Sequence, residues 1–496
     1  MNTIKSAPGR IPCLLLCSLL ITACGYQKYQ AQPLQARDGM VSLRMHDTGD
    51  EGFQAYMREE GYANLPAQWG WRELLHSSFY FHPDLNVARS QLQVAMAGIT
   101  TAGQRPNPSI SAGAGRRNEP DVPEVYSLGF NIPIETAGKR QARIDMATAL
   151  SDDARFNIAQ TAWTLRQRLL LSWIELNAAQ QNLLILQQEN RLREHIVTML
   201  QQRLEAGMVS SVELSNARLQ WQRIQQSLVL EQGRIEELKT QLASNAGLPL
   251  NKFTSLTLQA DDAATLMQAQ HNIDIAHSLN PTAQDAALQN RVDIRASLAR
   301  YAASEARLRL EIARQYPDIS LSPAYNYEEG FHIWSLGINS LLNIMHRNQG
   351  QIAEATALRA NEAAQFEALQ ARVIASMDSA RSRYAAALQA LTQAGALYQT
   401  LQQQAVLAGQ RFELGYADRL ELVTQQLESL LAKQNFISAE YQVQRAAAAL
   451  EDSMQLPLEN LGALPRQLDA TSQQYLSAQQ TLSTQSQDQS PRKPQP

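Results

Sequence analysis

Cysteine is nearly absent from this 496-residue chain: Cys13, Cys17 and Cys24 are its three copies, all within the first 24 residues. Beyond them no thiol is left for a disulfide framework, a zinc site or a catalytic nucleophile. Long apolar runs are missing too. Past the N-terminus no stretch of about 18 apolar residues could cross a bilayer as a helix. Nor is there an excess of one charge. The 43 basic and 47 acidic residues leave a net charge of −4, which excludes a polyanion-seeking surface and hence nucleic acid as the main partner. Aromatics are 6% and charged residues 18%, but hydrophobics reach 44%, too apolar for a broadly disordered chain. Length alone allows roughly two to four domains.

Recognisable reaction chemistry is also lacking. No H-E-x-x-H, P-loop, Rossmann glycine fingerprint or nucleophile elbow appears. The eight histidines are scattered, and His271 and His277 are off the i, i+4 spacing that a helical ligand pair needs. The expectation is a protein that is not an enzyme, with no cofactor, no metal site and no nucleotide fold to energise transport.

The first residues read as a targeting segment. Lys5 and Arg10 are a small basic region, and Ile11 to Cys24 is apolar but too short to span. It ends Ile21-Thr22-Ala23-Cys24, which resembles a bacterial lipobox. That resemblance implies a signal peptide over 1–23, loss of Cys13 and Cys17, and lipidation of Cys24. Gly25 stands where an aspartate would favour inner-membrane retention, so the outer membrane is expected. Acyl chains contribute about 0.8 kcal/mol per buried methylene and anchor without a spanning helix.

What is present is an internal repeat. RLEAGMVSSVEL (Arg203 to Leu214) matches RFELGYADRLEL (Arg411 to Leu422), GLPL at Gly247 matches QLPL at Gln455, and ATAL recurs at Ala147 and Ala355, all at an offset of 208. The chain divides into an N-terminal segment 24–74, a first repeat 75–250, a linker 251–283, a second repeat 284–460 and a polar tail 461–496, expected to be partly disordered. Each repeat has a short helix, two alternating segments, a very long helix, a glycine turn and a second long helix.

The long helices follow from two further absences. No proline lies between Pro133 and Pro249, and no glycine between Lys139 and Ala206. Helices are predicted over about 136–206, 210–246, 346–413 and 418–453. Leu169, Leu176, Leu183, Val197 and Leu204 recur at seven-residue steps, with Asn190 at the missed step. Leu214, Trp221, Leu228, Ile235 and Leu242 repeat the pattern, as do Leu422, Phe436, Val443 and Leu450. Such heptads place helices side by side.

The alternating segments predict β-hairpins at about 107–134 and 317–343. Tyr126, Leu128, Phe130 and Ile132 alternate with Ser127, Gly129 and Asn131, and Trp334, Leu336 and Ile338 alternate with Ser335, Gly337 and Asn339. A greasy face backed by a small polar face reads as a membrane strand with lipid outside and water inside. Two soluble hairpins on a core would also alternate, but their recurrence at equivalent places beside a lipoprotein signal favours the membrane. Spanning sheets must close, and barrels begin near about eight strands. Four strands per chain therefore demand more than one chain, and three chains would supply twelve.

The ordered, duplicated unit resembles the TolC-type outer-membrane efflux protein family, over roughly residues 75–460. The resemblance implies a mainly α fold with a membrane β-barrel part. As a homotrimer, it would form a 12-stranded outer-membrane β-barrel continued by a long α-helical periplasmic tunnel, girdled by an equatorial region from residues 24–74 and 251–283. It further implies a passive exit duct served by an inner-membrane efflux pump and a periplasmic adaptor, of a drug or heavy-metal lipoprotein branch. The tips around Arg203, Gly207, Arg411 and Gly415 would turn the helices and meet the adaptor, and Glu213 and Glu421 match the family's acidic entrance positions. Three-fold rings of carboxylates and solvated helix-face glutamates both fit these two residues. Thr424, Ala417 and Asp418 depart from the family pattern, so a different resting gate is expected. A periplasmic adaptor or a structural coiled-coil lipoprotein is the alternative, but neither requires two equivalent strand pairs.

Overall fold

The computed structural model describes residues 27–116, 124–259, 288–341 and 343–455. The expected signal segment 1–23, Cys24, most of the linker 251–283 and the tail 461–496 lie outside the described residues.

Two compact units part between Met45 and His46. The first contributes helix α1 (Ala36–Met45), which buries no residue. The second runs from His46 onward. Its elements are α2 (Glu51–Glu59), α3 (Trp71–Phe81), α4 (Pro83–Gly103), β1 (Ser109–Gly115), β2 (Val125–Ile134), α5 (Lys139–Glu205), α6 (Ser211–Asn245), α7 (Leu250–Phe253), α8 (Val292–Ala313), β3 (Ile319–Glu328), β4 (Phe331–Ser340), α9 (Gln349–Glu413) and α10 (Arg419–Met454). The order α4-β1-β2-α5-α6 recurs as α8-β3-β4-α9-α10.

Residues 46–74, which precede the first repeat, share its compact unit. Phe53, Tyr56, Met57, Trp69 and Trp71 pack with Leu169, Trp173 and Leu242 in one core. Trp69 and Leu258 also pair as a parallel bridge. Large apolar side chains before residue 75 thus belong to the main body, because each gains about 1.5–3 kcal/mol by burial against the long helices.

At 67 residues α5 is about 100 Å long. Leu165, Leu169, Leu176, Leu186, Val197 and Leu200 are buried along it, which is the heptad seam. Asn190 interrupts the row for a reason visible in the partner helix: Trp221 donates its indole Nε1–H to Asn190 Oδ1 at 3.0 Å. A polar pair fills a layer of the seam where leucine would leave the indole unpaired. The repeats are unequal in burial. Along the 65 residues of α9 only Ala355, Val373, Met377, Ala380, Tyr384 and Ala408 are buried, while Ile374, Leu397, Val406 and Leu407 stay exposed.

The repeats are locked by a buried cluster. Arg166 on α5 meets Glu451 on α10 at 2.5 Å, each side chain 5% exposed. The Arg166 guanidinium lies over the rings of Trp71 (5.3 Å) and Trp163 (5.2 Å). Trp163 donates its Nε1–H to Asp452 Oδ1 at 2.8 Å. Arg291 donates to the carbonyls of Asp452 and Ser453, closing the end of the second repeat.

Candidate functional sites: the sheet and the helix tips

The four strands form one antiparallel sheet in the order β1-β2-β3-β4. The β2–β3 pairing joins the two repeats edge to edge. Register decides which residues share a face. Ala112, Leu128, Tyr325 and Trp334 are successive partners across the sheet. Ile110 pairs with Phe130, Leu336 with Pro323, and Ile132 with Leu321, which in turn faces Ile338. The alternation predicted in each strand is thus continuous across all four. Tyr126, Leu128, Phe130 and Ile132 are exposed, and Trp334, Leu336 and Ile338 are 80%, 70% and 68% exposed.

The opposite face is small and polar. Ser111 pairs with Gly129, Gly129 with Ala324, and Ala324 with Ser335. Asn339 donates to Ser322 Oγ at 2.9 Å, and Ser322 to Asn131 Oδ1 at 3.4 Å. β3 and β4 are joined by Glu329 and Gly330, both at positive φ (54° and 85°), as a two-residue type I′ hairpin turn requires. Among the described residues the outer edges of β1 and β4 have no partner strand. No described helix is long and apolar enough to cross a membrane.

At the far end of the long helices the two tips are built alike. Gly207 (φ +72°) and Gly415 (φ +80°) take the left-handed conformation. Gly207 N–H donates to Leu204 O (2.9 Å) and Met208 N–H to Arg203 O (2.8 Å). Gly415 N–H donates to Phe412 O (3.0 Å) and Tyr416 N–H to Arg411 O (2.7 Å). Both are Schellman closures, which satisfy the last carbonyls of a helix and reverse the chain. They leave Met208, Val212, Leu414 and Tyr416 exposed.

The charged tip residues separate into distinct roles. Arg203, from the first repeat, bridges to Asp418 in the second at 3.0 Å. Arg411 bridges to Glu421 at 3.0 Å within the second tip. Asp418 is also the N-cap of α10, its Oδ1 accepting from Glu421 N–H at 2.8 Å. That backbone bond, then the Arg203 guanidinium, holds the Asp418 carboxyl below its ordinary value of 3.8. Glu213 closes a capping box with Ser210: Ser210 Oγ accepts from Glu213 N–H (3.3 Å), and Glu213 Oε2 accepts from Ser210 N–H (3.4 Å). Leu420 of the second tip packs on the first-tip cluster of Val197, Leu200 and Leu214.

Sequence reasoning brought Glu213 and Glu421 forward as equivalent carboxylates. In the structure Glu213 serves a cap and Glu421 answers an arginine. It missed the Arg203–Asp418 bridge, although the spacing Ser210-x-x-Glu213 and Asp418-x-x-Glu421 was a readable cap signal. Cys24, His271 and His277 lie outside the described residues. Among the described residues no group of three His, Cys, Asp or Glu side chains could hold a metal ion.

The fold has counterparts among known proteins. A family model described as "Outer membrane efflux protein" matches residues 75–248. Over these residues the chain is similar to the outer membrane efflux protein family. The efflux-protein match ends at the first repeat, but the fold likeness extends over the second. The outer membrane protein VceC of Vibrio cholerae superposes with a TM-score of 0.62 at 18% identity, covering 78% of this chain and 97% of VceC. The CmeC outer membrane channel of Campylobacter jejuni superposes at 0.61 and 14% identity, covering 95% and 97%. In sequence, the cobalt-zinc-cadmium resistance protein CzcC of Cupriavidus metallidurans is 25% identical over 293 residues, 58% of this chain. The alignment spans 66% of CzcC, just under two thirds of that relative.

Proposed function

We propose that this protein is the outer-membrane channel of a TolC-type tripartite efflux system, a passive exit duct. The observation that carries the reading is the four-stranded sheet, apolar and exposed on one face, small and polar on the other, and open at both edges. In hydrocarbon an open edge leaves backbone groups unsatisfied, so the sheet has to close. Three copies, β4 of each against β1 of the next, make a twelve-stranded barrel with the polar face inward. The exposed apolar positions of α9 suit the same association, since neighbouring chains would cover them. The long helices then continue the barrel as a periplasmic tunnel.

The tips are the end that meets a periplasmic adaptor, with Arg203, Gly207, Arg411 and Gly415 shaping the docking turns. An inner-membrane pump supplies the energy, in keeping with a sequence that contains no P-loop or Rossmann glycine fingerprint. Lipidation of Cys24 adds an acyl anchor on the periplasmic side of the outer membrane. The segments 24–74 and 251–283 are assigned to the equatorial girdle from the family resemblance alone, most of the linker lying outside the described residues. Three-fold symmetry turns Glu213 and Glu421 into rings at the periplasmic mouth, where clustered carboxylates favour cations. The likeness to CzcC, named for cobalt, zinc and cadmium resistance, points to divalent metal as cargo, delivered by the pump.

The test is fractionation followed by planar-bilayer recording of the purified protein. Outer-membrane recovery and discrete conductance steps are the expected result. A water-soluble monomer without conductance would remove the reading. A deletion strain challenged with zinc, cobalt and cadmium and with dyes reads the cargo class. Glu213→Ala with Glu421→Ala should lower cation preference, and unchanged selectivity would remove the ring assignment.

A further inference from the structure

Four glutamates are buried among the described residues: Glu189, Glu231, Glu311 and Glu451. Three are answered by an arginine. Glu189 meets Arg193 at 2.6 Å, Glu311 meets Arg314 at 2.7 Å and Glu451 meets Arg166 at 2.5 Å. Glu231 is the exception. It is 9% exposed, and its Oε1 has no hydrogen-bond partner. It lies three residues after Leu228 and four before Ile235, on the inward row of α6, where a leucine would complete the seam. A buried carboxylate oxygen without a donor is disfavoured, so Oε1 at this position suits a ligand that supplies one.

Glu231 lines a cavity of about 450 Å³ where α5, α6 and α10 meet. That is the size of pockets that enclose drug-sized ligands. Its polar wall includes Asn182 and Gln434, held to each other across the helices at 2.8 Å. Two cations, Arg234 and Arg445, share the lining and are exposed at its rim. Neither is ion-paired to Glu231 among the described residues. The cavity thus offers one buried acceptor of negative charge and two guanidinium forks at its mouth. A simple cation would meet two arginines, and a simple anion would leave the carboxylate unanswered.

We propose that this cavity is a binding site for a small zwitterion, its ammonium donating to Glu231 and its carboxylate held by Arg234 and Arg445. A guanidinium fork matches a carboxylate in geometry as well as charge. The site lies between helices of one chain, so it exists whether or not the duct conducts.

The experiment uses the full-length protein purified in detergent. Ciprofloxacin, whose piperazine ammonium and carboxylate make it a fluorescent zwitterion, is titrated by anisotropy beside its N-acetyl and methyl-ester forms, which each lack one charge. Saturable binding of the zwitterion is expected, with at least tenfold weaker binding of either blocked form. Glu231→Gln, which keeps the volume, should weaken the zwitterion about tenfold and leave the N-acetyl form unchanged. Arg234→Gln with Arg445→Gln, at the exposed rim where folding is not at stake, should weaken the zwitterion and leave the ester unchanged. Three results overturn the proposal: no saturable binding by the parent protein, parent-like binding by both variants, or equal loss of all three compounds. None of them touches the duct reading, which conductance decides separately.

Discussion

Arg166 and Glu451 are the charged side chains whose removal should be felt most. Both are buried, and the guanidinium is held between two indole rings. Removing one partner of a buried pair leaves the other charge uncompensated, at a cost of about 3–5 kcal/mol. Glu451→Ala should therefore lower unfolding stability by that order, while Arg166→Met with Glu451→Leu should recover most of it. Denaturant unfolding of the detergent-solubilised protein measures both, and a double variant as weak as the single would contradict the account. At the tips the decisive quantity is pH. Asp418 has a folded-state value depressed below 3.8. A depressed carboxylate stabilises above its unfolded value and loses that contribution as pH falls through the folded one. The Arg203–Asp418 bridge is then intact at neutral pH and released in acid, below about the ordinary carboxylate value. Asp418→Asn keeps an N-cap side chain but removes the charge. Spin labels at Met208 and Tyr416 should show in this variant at pH 7 the broadened distances that the parent shows only below that window. Identical distributions in the two proteins at pH 7 would mean the bridge does not hold the tips together.

At the scale of elements, pattern in the sequence carries far in some places and stops in others. The first long helix, α5, is readable because the absence of proline and glycine coincides with a seven-residue apolar row, two independent signals that agree. The strands are readable because period two survives in each hairpin separately. What no single segment contains is how segments meet. The β2–β3 pairing joins residues of different repeats, and Arg166–Glu451 and Arg203–Asp418 do the same. Arginines and carboxylates, buried or exposed, carry no periodic signature that names their partner. Asn190 illustrates the limit: as a gap in the heptad it was visible, yet its reason, the Trp221 indole, sits on the next helix. The two sheet faces permit a direct comparison. Leu128→Arg, on the apolar face, should impair insertion by about 2–4 kcal/mol if it sits near the bilayer midplane. Ser127→Arg, on the polar face, should insert normally and alter ion selectivity. Recovery of each variant in the outer-membrane fraction reads the difference, and equal recovery would place both faces in water.

For the whole molecule the unpaired edges of β1 and β4 make the strongest demand. In the proposed barrel, the sheet whose ends are open in one chain closes by β4 meeting β1 of a neighbour, and repetition of that contact generates a ring. All three cysteines lie in the first 24 residues, so linkage through reporter thiols placed further on is read against the parent chain, which carries those three alone. One cysteine at Ile110 or Ala112 in β1 and one at Leu336 or Ile338 in β4 would share the apolar face. Within a chain these strands are separated by β2 and β3, beyond the Cα separation of about 7 Å that a disulfide tolerates. Oxidation should therefore link chains to one another, and a non-reducing gel should climb from monomer to dimer to trimer and stop there. Either cysteine alone should give no ladder, since like edges do not meet in a head-to-tail ring. A ladder that ends at dimer would close an eight-stranded barrel instead. No linkage at any of the four pairings would show that these edges never face each other, and the shared barrel would fall with them.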